Sequence, residues 1–379
     1  MVTKTDQSRQ SFRIAISGYY GFRNSGDEAV LKSILLALEL SAKEQGIVIT
    51  PVVLSIDPEW TARMYGVEAV HRMRPQSVLA ALRGCDGLIS GGGSLLQDAT
   101  SAKTIPYYTG VIKLAQWLGK PTFIYSQGIG PLHRGWMNPL IRSAMRHSRY
   151  VSVRDPESAE LLARIGVARD RIEVVPDPVM GLPLPVAGKK EASKDERPIV
   201  GVSLRYWRKD RADMDAVASG LSQLASERDV RLRFLPFHTP DDIEASQYVL
   251  ERLGELTGSS AEIIDAGDDP QQMLLQVSRC DLLIGMRLHA LIYAANTKVP
   301  LLGISYDPKI DQFLHRLQQS AIGTTERLEP SALAAAAGEL LENRAGWLAD
   351  NNDIIDKLKQ QSRQPAQHIV HFLRQLIKR

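Results

Sequence analysis

Short apolar runs, each closing on a polar or glycine-rich turn, recur along the chain with helical periods between them. Phe12–Ser17, Ile47–Ile56, Gly87–Ser90, Pro121–Ser126, Tyr150–Val153 and Ile172–Val175 read as strands of a first series. Asp27-Glu28 opens an amphipathic helix whose apolar positions are Val30, Leu31, Ile34, Leu35 and Leu38. A second series runs through Ile199–Ser203, Arg231–Phe237, Glu262–Ile264, Asp281–Gly285 and Val299–Ile304. Strands that alternate with helices predict parallel sheets covered on both faces, hence an α/β protein. The repetition predicts two similar domains facing a cleft. Cys85-Asp-Gly-Leu-Ile and Cys280-Asp-Leu-Leu-Ile echo one another at matching places. Expected boundaries are a first domain over 12–185, a linker over 186–197 where the pattern loses its period, and a second domain over 198–354. A helical segment over 355–379 ends the chain, with Ile369, Val370, Phe372, Leu373, Leu376 and Ile377 at helical spacing.

Length agrees with two cores: 379 residues exceed what one hydrophobic core usually serves. The balance, 44% apolar and 23% charged with a net charge of +3, argues against a polyanion-coating protein, so no nucleic-acid partner is expected. Cations must act by local placement. Two cysteines make no disulfide framework, and a reducing, cytoplasmic setting is expected. The polar stretch Met1–Gln10 has no apolar signal core, and no run approaches the roughly 18 apolar residues of a spanning helix. The basic amphipathic C-terminal helix suits either packing on the protein or peripheral contact with the inner membrane face.

Candidate chemistry lies at strand ends. Asp281–Gly285 runs into Met286-Arg287-Leu288-His289, and Lys309 follows Ile304-Ser-Tyr-Asp-Pro. Arg154 and Arg205 likewise follow strands. In parallel sheets such positions share the ligand crevice, so five cationic groups from two domains predict one site for a multiply charged anion. His289 is the group suited to exchange a proton there, with His238 in Pro-Phe-His-Thr-Pro a second candidate. The loop Gly18-Tyr-Tyr-Gly-Phe-Arg-Asn-Ser-Gly26 departs from both the dinucleotide and Walker spacings. Its Tyr20, Phe22 and Asn24, with Asp27 just after it and Gly92, Gly93 and Asp98 after the strand Gly87–Ser90, are candidates for contact with a second substrate. Without a Cys/His cluster or HExxH, no metal is expected.

These residues bring a family into view. Ile16-Ser-Gly-Tyr-Tyr-Gly-Phe-Arg-Asn-Ser-Gly-Asp-Glu-Ala29, Leu88-Ile-Ser-Gly-Gly-Gly-Ser-Leu-Leu-Gln-Asp98, Ser152-Val-Arg-Asp-Pro156, Val174-Val-Pro-Asp-Pro178, Gly285-Met-Arg-Leu-His-Ala290 and Ile304-Ser-Tyr-Asp-Pro-Lys309 resemble polysaccharide pyruvyl transferases, in particular the CsaB-like proteins of Gram-positive bacteria. The resemblance implies a GT-B-like fold of two Rossmann-like domains. It implies phosphoenolpyruvate as donor, no further cofactor, and a lipid-linked sugar as acceptor. N-acetylmannosamine of a secondary cell-wall polymer precursor would gain a 4,6-ketal that S-layer homology domains recognise. Arg154, Arg205, Arg287, His289 and Lys309 would hold the donor, with Arg287 and His289 serving the chemistry and Tyr20 and Phe22 shaping the acceptor mouth. Two other readings remain: a GT-B glycosyltransferase using a nucleotide sugar, and a non-catalytic cell-wall glycan-binding scaffold.

Overall fold

The computed structural model describes residues 10–99, 101–185 and 195–377; of the expected linker, 186–194 lie outside the described residues. The chain divides into two compact units. One holds the residues up to Phe22, Val30–Gly181 and those from Gln360 onward; the other holds Arg23–Ala29 and Leu182–Lys359.

In the first unit, chain order is β1 (Ser11–Ser17), α1 (Ser25–Gln45, whose first residues count with the second unit), β2 (Val48–Ser55), α2 (Pro58–Tyr65), β3 (Glu68–His71), α3 (Pro75–Gly84), β4 (Gly87–Ser90), β5 (Gly93–Leu96), α4 (Thr104–Trp117), β6 (Thr122–Ile129), α5 (Asn138–Arg146), β7 (Tyr150–Val153), α6 (Pro156–Arg164) and β8 (Glu173–Val174). The sheet is parallel with strand order β3-β2-β1-β4-β6-β7-β8, and β5 pairs β6 beyond the end of β4. β4 and β6 are buried along their whole length, which explains their uninterrupted apolar sequences.

The second unit continues with β9 (Ile199–Ser203), α7 (Ala212–Glu227), β10 (Arg231–Phe234), α8 (Asp241–Leu250), β11 (Ser260–Ile263), α9 (Pro270–Ser278), β12 (Leu282–Gly285), α10 (Leu288–Asn296), β13 (Leu301–Ser305), α11 (Pro308–Arg316), β14 (Gly323–Thr324), α12 (Pro330–Glu342) and α13 (Arg344–Gln361). Its strand order is β11-β10-β9-β12-β13-β14. Counted within the unit this is three-two-one-four-five-six, the doubly wound order whose ligand crevice opens where the order reverses. Here that point lies between β9 and β12, which pair with Ser203 opposite Gly285. The first sheet reverses in the same way between β1 and β4.

α14 (Gln364–Ile377) belongs to the first unit. Ile369, Val370 and Leu373 are fully buried, and Phe372 meets Phe123 of β6 edge-on at 5.5 Å. The helix therefore spends its apolar face on the protein, with Leu376 left 42% exposed. No described helix is long and apolar enough to cross a membrane. Cys85 and Cys280 are both free and buried, and burial pushes the Cys280 thiol up to about 12.

Truncation tests the packing of α14. Leu373→Ala should cost about 2–5 kcal/mol in denaturant unfolding, whereas exposed Leu376→Ala should stay within about 0.5 kcal/mol of the parent. Equal effects would mean that the helix is not docked through this face.

Candidate active site

Four of the five cations of interest lie at the C-terminal edge of the second sheet. Arg205 and Arg287 each stand two residues beyond the paired Ser203 and Gly285, so adjacent strands bring them to one level. Ser305 reaches that level on β13, whose Gly303 pairs Gly285, and Lys309 follows in the first turn of α11.

Arg287 caps α10 with an extended backbone. Its Nε donates to Asp242 Oδ2 at 3.0 Å and its Nη2 donates to Oδ1 of the same carboxylate. Asp242 is fully buried and also accepts from the backbone N–H groups of Phe237 and His238, both at 3.0 Å. This two-pronged grip sets the plane of the guanidinium and leaves Nη1 outside the pair.

His289 is the second residue of α10. Its imidazole lies against the backbone of Gly26 in the first turn of α1: a Cβ placed there would sit 2.0 Å from Nδ1 and 2.6 Å from Cγ. The start of α1 is tied down beside it. Ser25 N donates to Phe237 O at 2.9 Å, and buried Tyr293 of α10 donates to Ser25 O at 3.2 Å. Asn24 is the cap of this helix, its Oδ1 accepting from Gly26 N at 3.0 Å. Asp27 adds a carboxylate to the first turn, where the helix dipole favours it. His238 lies in the β10–α8 loop with Nδ1 3.6 Å from Asp241.

Arg205 has a different environment. Nη1 donates to Tyr306 Oη at 2.8 Å, and the guanidinium carbon lies 4.8 Å from the Tyr306 ring and 5.4 Å from Trp207. Its Nε is buried without a hydrogen-bond partner, and no described carboxylate lies within ion-pair distance of it. Lys309 Nζ lies 5.4 Å from the centroid of the same Tyr306 ring and 3.4 Å from Asp307. Asp307 also caps α11 by accepting from Lys309 N at 3.1 Å.

Arg154 belongs to the first unit, where two carboxylates and a serine surround it. It is 8% exposed, donates from Nη2 to Ser94 Oγ at 2.8 Å, and stands 3.6 Å from both Asp155 and Asp177. Two buried carboxylates around one guanidinium leave little room for a further anion. Tyr20, expected at a substrate mouth, is instead 1% exposed. Its ring lies across two backbones: a Cβ on Gly18 would meet Cζ at 2.2 Å, and one on Gly91 would meet Oη at 2.0 Å. These glycines make room for Tyr20. A Cβ on Gly92 would meet Val30 Cγ1 at 3.0 Å, and Gly93 opens β5 at φ 91°, a backbone that glycine suits. Asp98, a candidate for contact with the second substrate, accepts from His133 N at 2.8 Å and Arg134 N at 2.7 Å. Burial alone would raise its pKa, but these two bonds and the Arg134 charge outweigh that and hold it below the usual carboxylate range.

Phe22 does reach the surface region, stacked on Tyr19 with ring centroids 3.8 Å apart. Behind them buried Arg72 donates to Gly18 O at 2.5 Å and lies 4.6 Å from the Tyr107 ring and 5.2 Å from Tyr108. Arg72 and Asp242 carry no motif signal of their own, since each acts through partners distant in sequence.

The family model described as polysaccharide pyruvyl transferase matches residues 24–308, from the Asn24 cap to the loop before Lys309. The chain belongs to the polysaccharide pyruvyl transferase family. It is therefore an enzyme of the transferase class. Comparison with curated proteins returned no match. Among solved structures, the UDP-GlcNAc 2-epimerase from Methanocaldococcus jannaschii is similar at a TM-score of 0.66 and 13% identity, covering 96% of this chain and 99% of that one. A putative UDP-N-acetylglucosamine 2-epimerase from Listeria monocytogenes gives 0.65 at 12% identity, covering 97% of each chain. Anabaena Alr3699/HepE, solved with UDP-glucose, gives 0.60 at 13% identity over 96% and 99%. These likenesses place this pyruvyl transferase in the GT-B-like fold class with its two parallel-sheet α/β domains.

Two outcomes follow. Gly26 has an ordinary helical backbone, so Gly26→Ala should leave the melting temperature near that of the parent while displacing His289 and lowering kcat about tenfold or more, close to 1.4 kcal/mol of barrier. In a His289→Ala background the same change should have no further effect; additive losses would sink the idea. For Asp98, whose folded pKa is depressed, the stabilisation is fully present above the unfolded value of about 3.9 and is lost as pH falls through the folded value. The stability gap between the parent and Asp98→Asn, measured by denaturant unfolding, should be constant near neutrality and close only in acid.

Proposed function

We propose that this pyruvyl transferase takes pyruvate from phosphoenolpyruvate and sets it as a ketal on a sugar, the donor binding at the C-terminal edge of the second sheet. The observation that carries this reading is the unequal treatment of the cations there. Arg205 is framed by aromatic rings with no carboxylate partner, while Arg287 is oriented by Asp242 with one nitrogen left outside the pair. Phosphoenolpyruvate carries a carboxylate and a phosphate on one small frame. Desolvating it requires fixed cations at short range, and a guanidinium fork fits either group. Lys309 supplies a compact third charge.

The reaction needs a proton on the methylene carbon, which creates a cationic centre at C2. A sugar hydroxyl adds there, phosphate leaves, and a second hydroxyl closes the ketal, each hydroxyl giving up its proton. His289, beside Arg287 and seated on Gly26, is the group suited to exchange these protons. In the first unit, the stacked Tyr19 and Phe22 pair offers a flat apolar face of the kind that packs against a sugar ring.

For the acceptor, the resemblance to CsaB-like proteins favours a β-N-acetylmannosaminyl residue on a lipid-linked secondary cell-wall polymer precursor, with a 4,6-ketal product that anchors S-layer proteins. The two free, buried cysteines fit work in the cytoplasm, where the donor is available. A nucleotide-sugar reading would want an acid after His289 to hold a ribose, and Ala290–Lys298 contains none.

Phosphate release from phosphoenolpyruvate, measured with and without a β-N-acetylmannosaminyl acceptor, tests the proposal. Acceptor-dependent release with a product heavier by one pyruvyl ketal is expected. His289→Ala should lower kcat by about 100-fold or more, the usual worth of a positioned acid or base, with little change in donor KM. Arg205→Ala should instead raise the donor KM. Turnover of a nucleotide sugar with no use of phosphoenolpyruvate would replace this reading with the glycosyltransferase one.

A further inference from the structure

Between Asp98 and Asp155 the chain contains no aspartate or glutamate. This stretch forms α4, β6, α5 and β7 of the first unit. α4 and α5 lie side by side, joined by Gln116 Nε2 donating to Ala144 O at 2.9 Å. Their outward surfaces carry Arg142 and Arg146, both exposed on α5, with Lys113 half-buried on α4. Large apolar side chains stand among these cations: Trp117 is 77% exposed at the end of α4, Trp136 is 62% exposed just before α5, and Leu140 is 38% exposed on its first turn. The next exposed acids along the chain, Glu157 and Glu160, are on α6.

A solvated face ordinarily mixes both signs of charge and hides its indoles. Cations of one sign with protruding Trp and Leu match the boundary of an anionic bilayer. There indole rings settle at headgroup level and each nearby Lys or Arg gains from the surface potential. Nucleic acid would ask for a groove that tracks a backbone, and the net charge of only +3 offers no broad field for one. α14, the other basic amphipathic helix, has Ile369, Val370 and Leu373 buried on the protein and leaves only Leu376 well exposed among its described apolar residues.

We infer that the α4–α5 face docks the protein on anionic phospholipid membrane through Trp117, Trp136 and Leu140 set among Lys113, Arg142 and Arg146. The inference does not depend on the donor or acceptor assigned above, because its readout is binding. Purified full-length protein is floated with vesicles of phosphatidylcholine containing phosphatidylglycerol, and with phosphatidylcholine alone. Flotation is expected only with the anionic vesicles. Arg142→Gln with Arg146→Gln should weaken partitioning about fivefold for each charge removed, and added salt should weaken the parent in the same direction. Trp117→Ser with Trp136→Ser should abolish flotation, with melting temperature and turnover of a water-soluble acceptor unchanged. Absence of flotation overturns the inference. So does flotation that survives both double variants, or that is equal on neutral vesicles. Loss of binding to a duplex oligonucleotide in the same variants, without vesicle binding by the parent, would assign the face to nucleic acid instead.

Discussion

A buried carboxylate at the head of α8 ties together the parts that the chemistry needs. Asp242 accepts from two successive backbone N–H groups of the β10–α8 loop and grips Arg287 at the end of β12. Removing one partner from such a pair leaves a buried charge without compensation, at a cost of about 3–5 kcal/mol, so loop and strand end are locked as one body. The same loop offers Phe237 O to Ser25, which fixes the first turn of α1, and Gly26 in that turn is the surface on which His289 lies. Arginine, histidine and helix start are therefore positioned through one anion.

The doubly wound strand order explains why these groups meet. A parallel sheet that reverses between β9 and β12 leaves a notch at the ends of those strands, since the connecting helices go to opposite faces. Arg205 and Arg287 stand at equal height on either side of that reversal. The first sheet has an equivalent reversal between β1 and β4, yet fills it from within: Tyr20 lies across Gly18 and Gly91. Equivalent topology thus serves a polar site in one unit and a packed aromatic ring in the other. Topology supplies the place, and the side chains decide its use.

Much of the architecture was legible because fully buried parallel strands read as plain apolar runs. The central strands of both sheets stand out in the sequence for that reason. Glu68–His71, Gly93–Leu96 and Gly323–Thr324 did not stand out, being very short and, for Glu68–His71, partly exposed at a sheet edge. Cations at strand ends were equally visible. Their partners were not: Asp242 precedes Arg287 by two strands, and Asp177 reaches Arg154 from beyond α6. Glycine motifs were the least informative. Gly18, Gly26 and Gly91 look alike as loop residues, but they face a tyrosine ring, a histidine ring and a tyrosine hydroxyl respectively.

Those distant partners also separate a cation whose charge is met within the protein from one whose charge is not. Arg154 is buried, faces two aspartates and hydrogen-bonds Ser94, so its charge is met from within the protein. Arg205 has only a phenol and two ring faces, and a buried Nε with no partner. An unmet charged donor costs the desolvation of that group, about 1–3 kcal/mol or more, and a fold ordinarily removes such a cost. Aromatic faces soften it without neutralising it, since a ring quadrupole attracts a cation but brings no negative charge. A guanidinium that no described carboxylate of the fold meets is open to an anion from outside, as the donor site proposed above requires. On the proposed donor site, a bound carboxylate or phosphate would offset the cost left at Arg205.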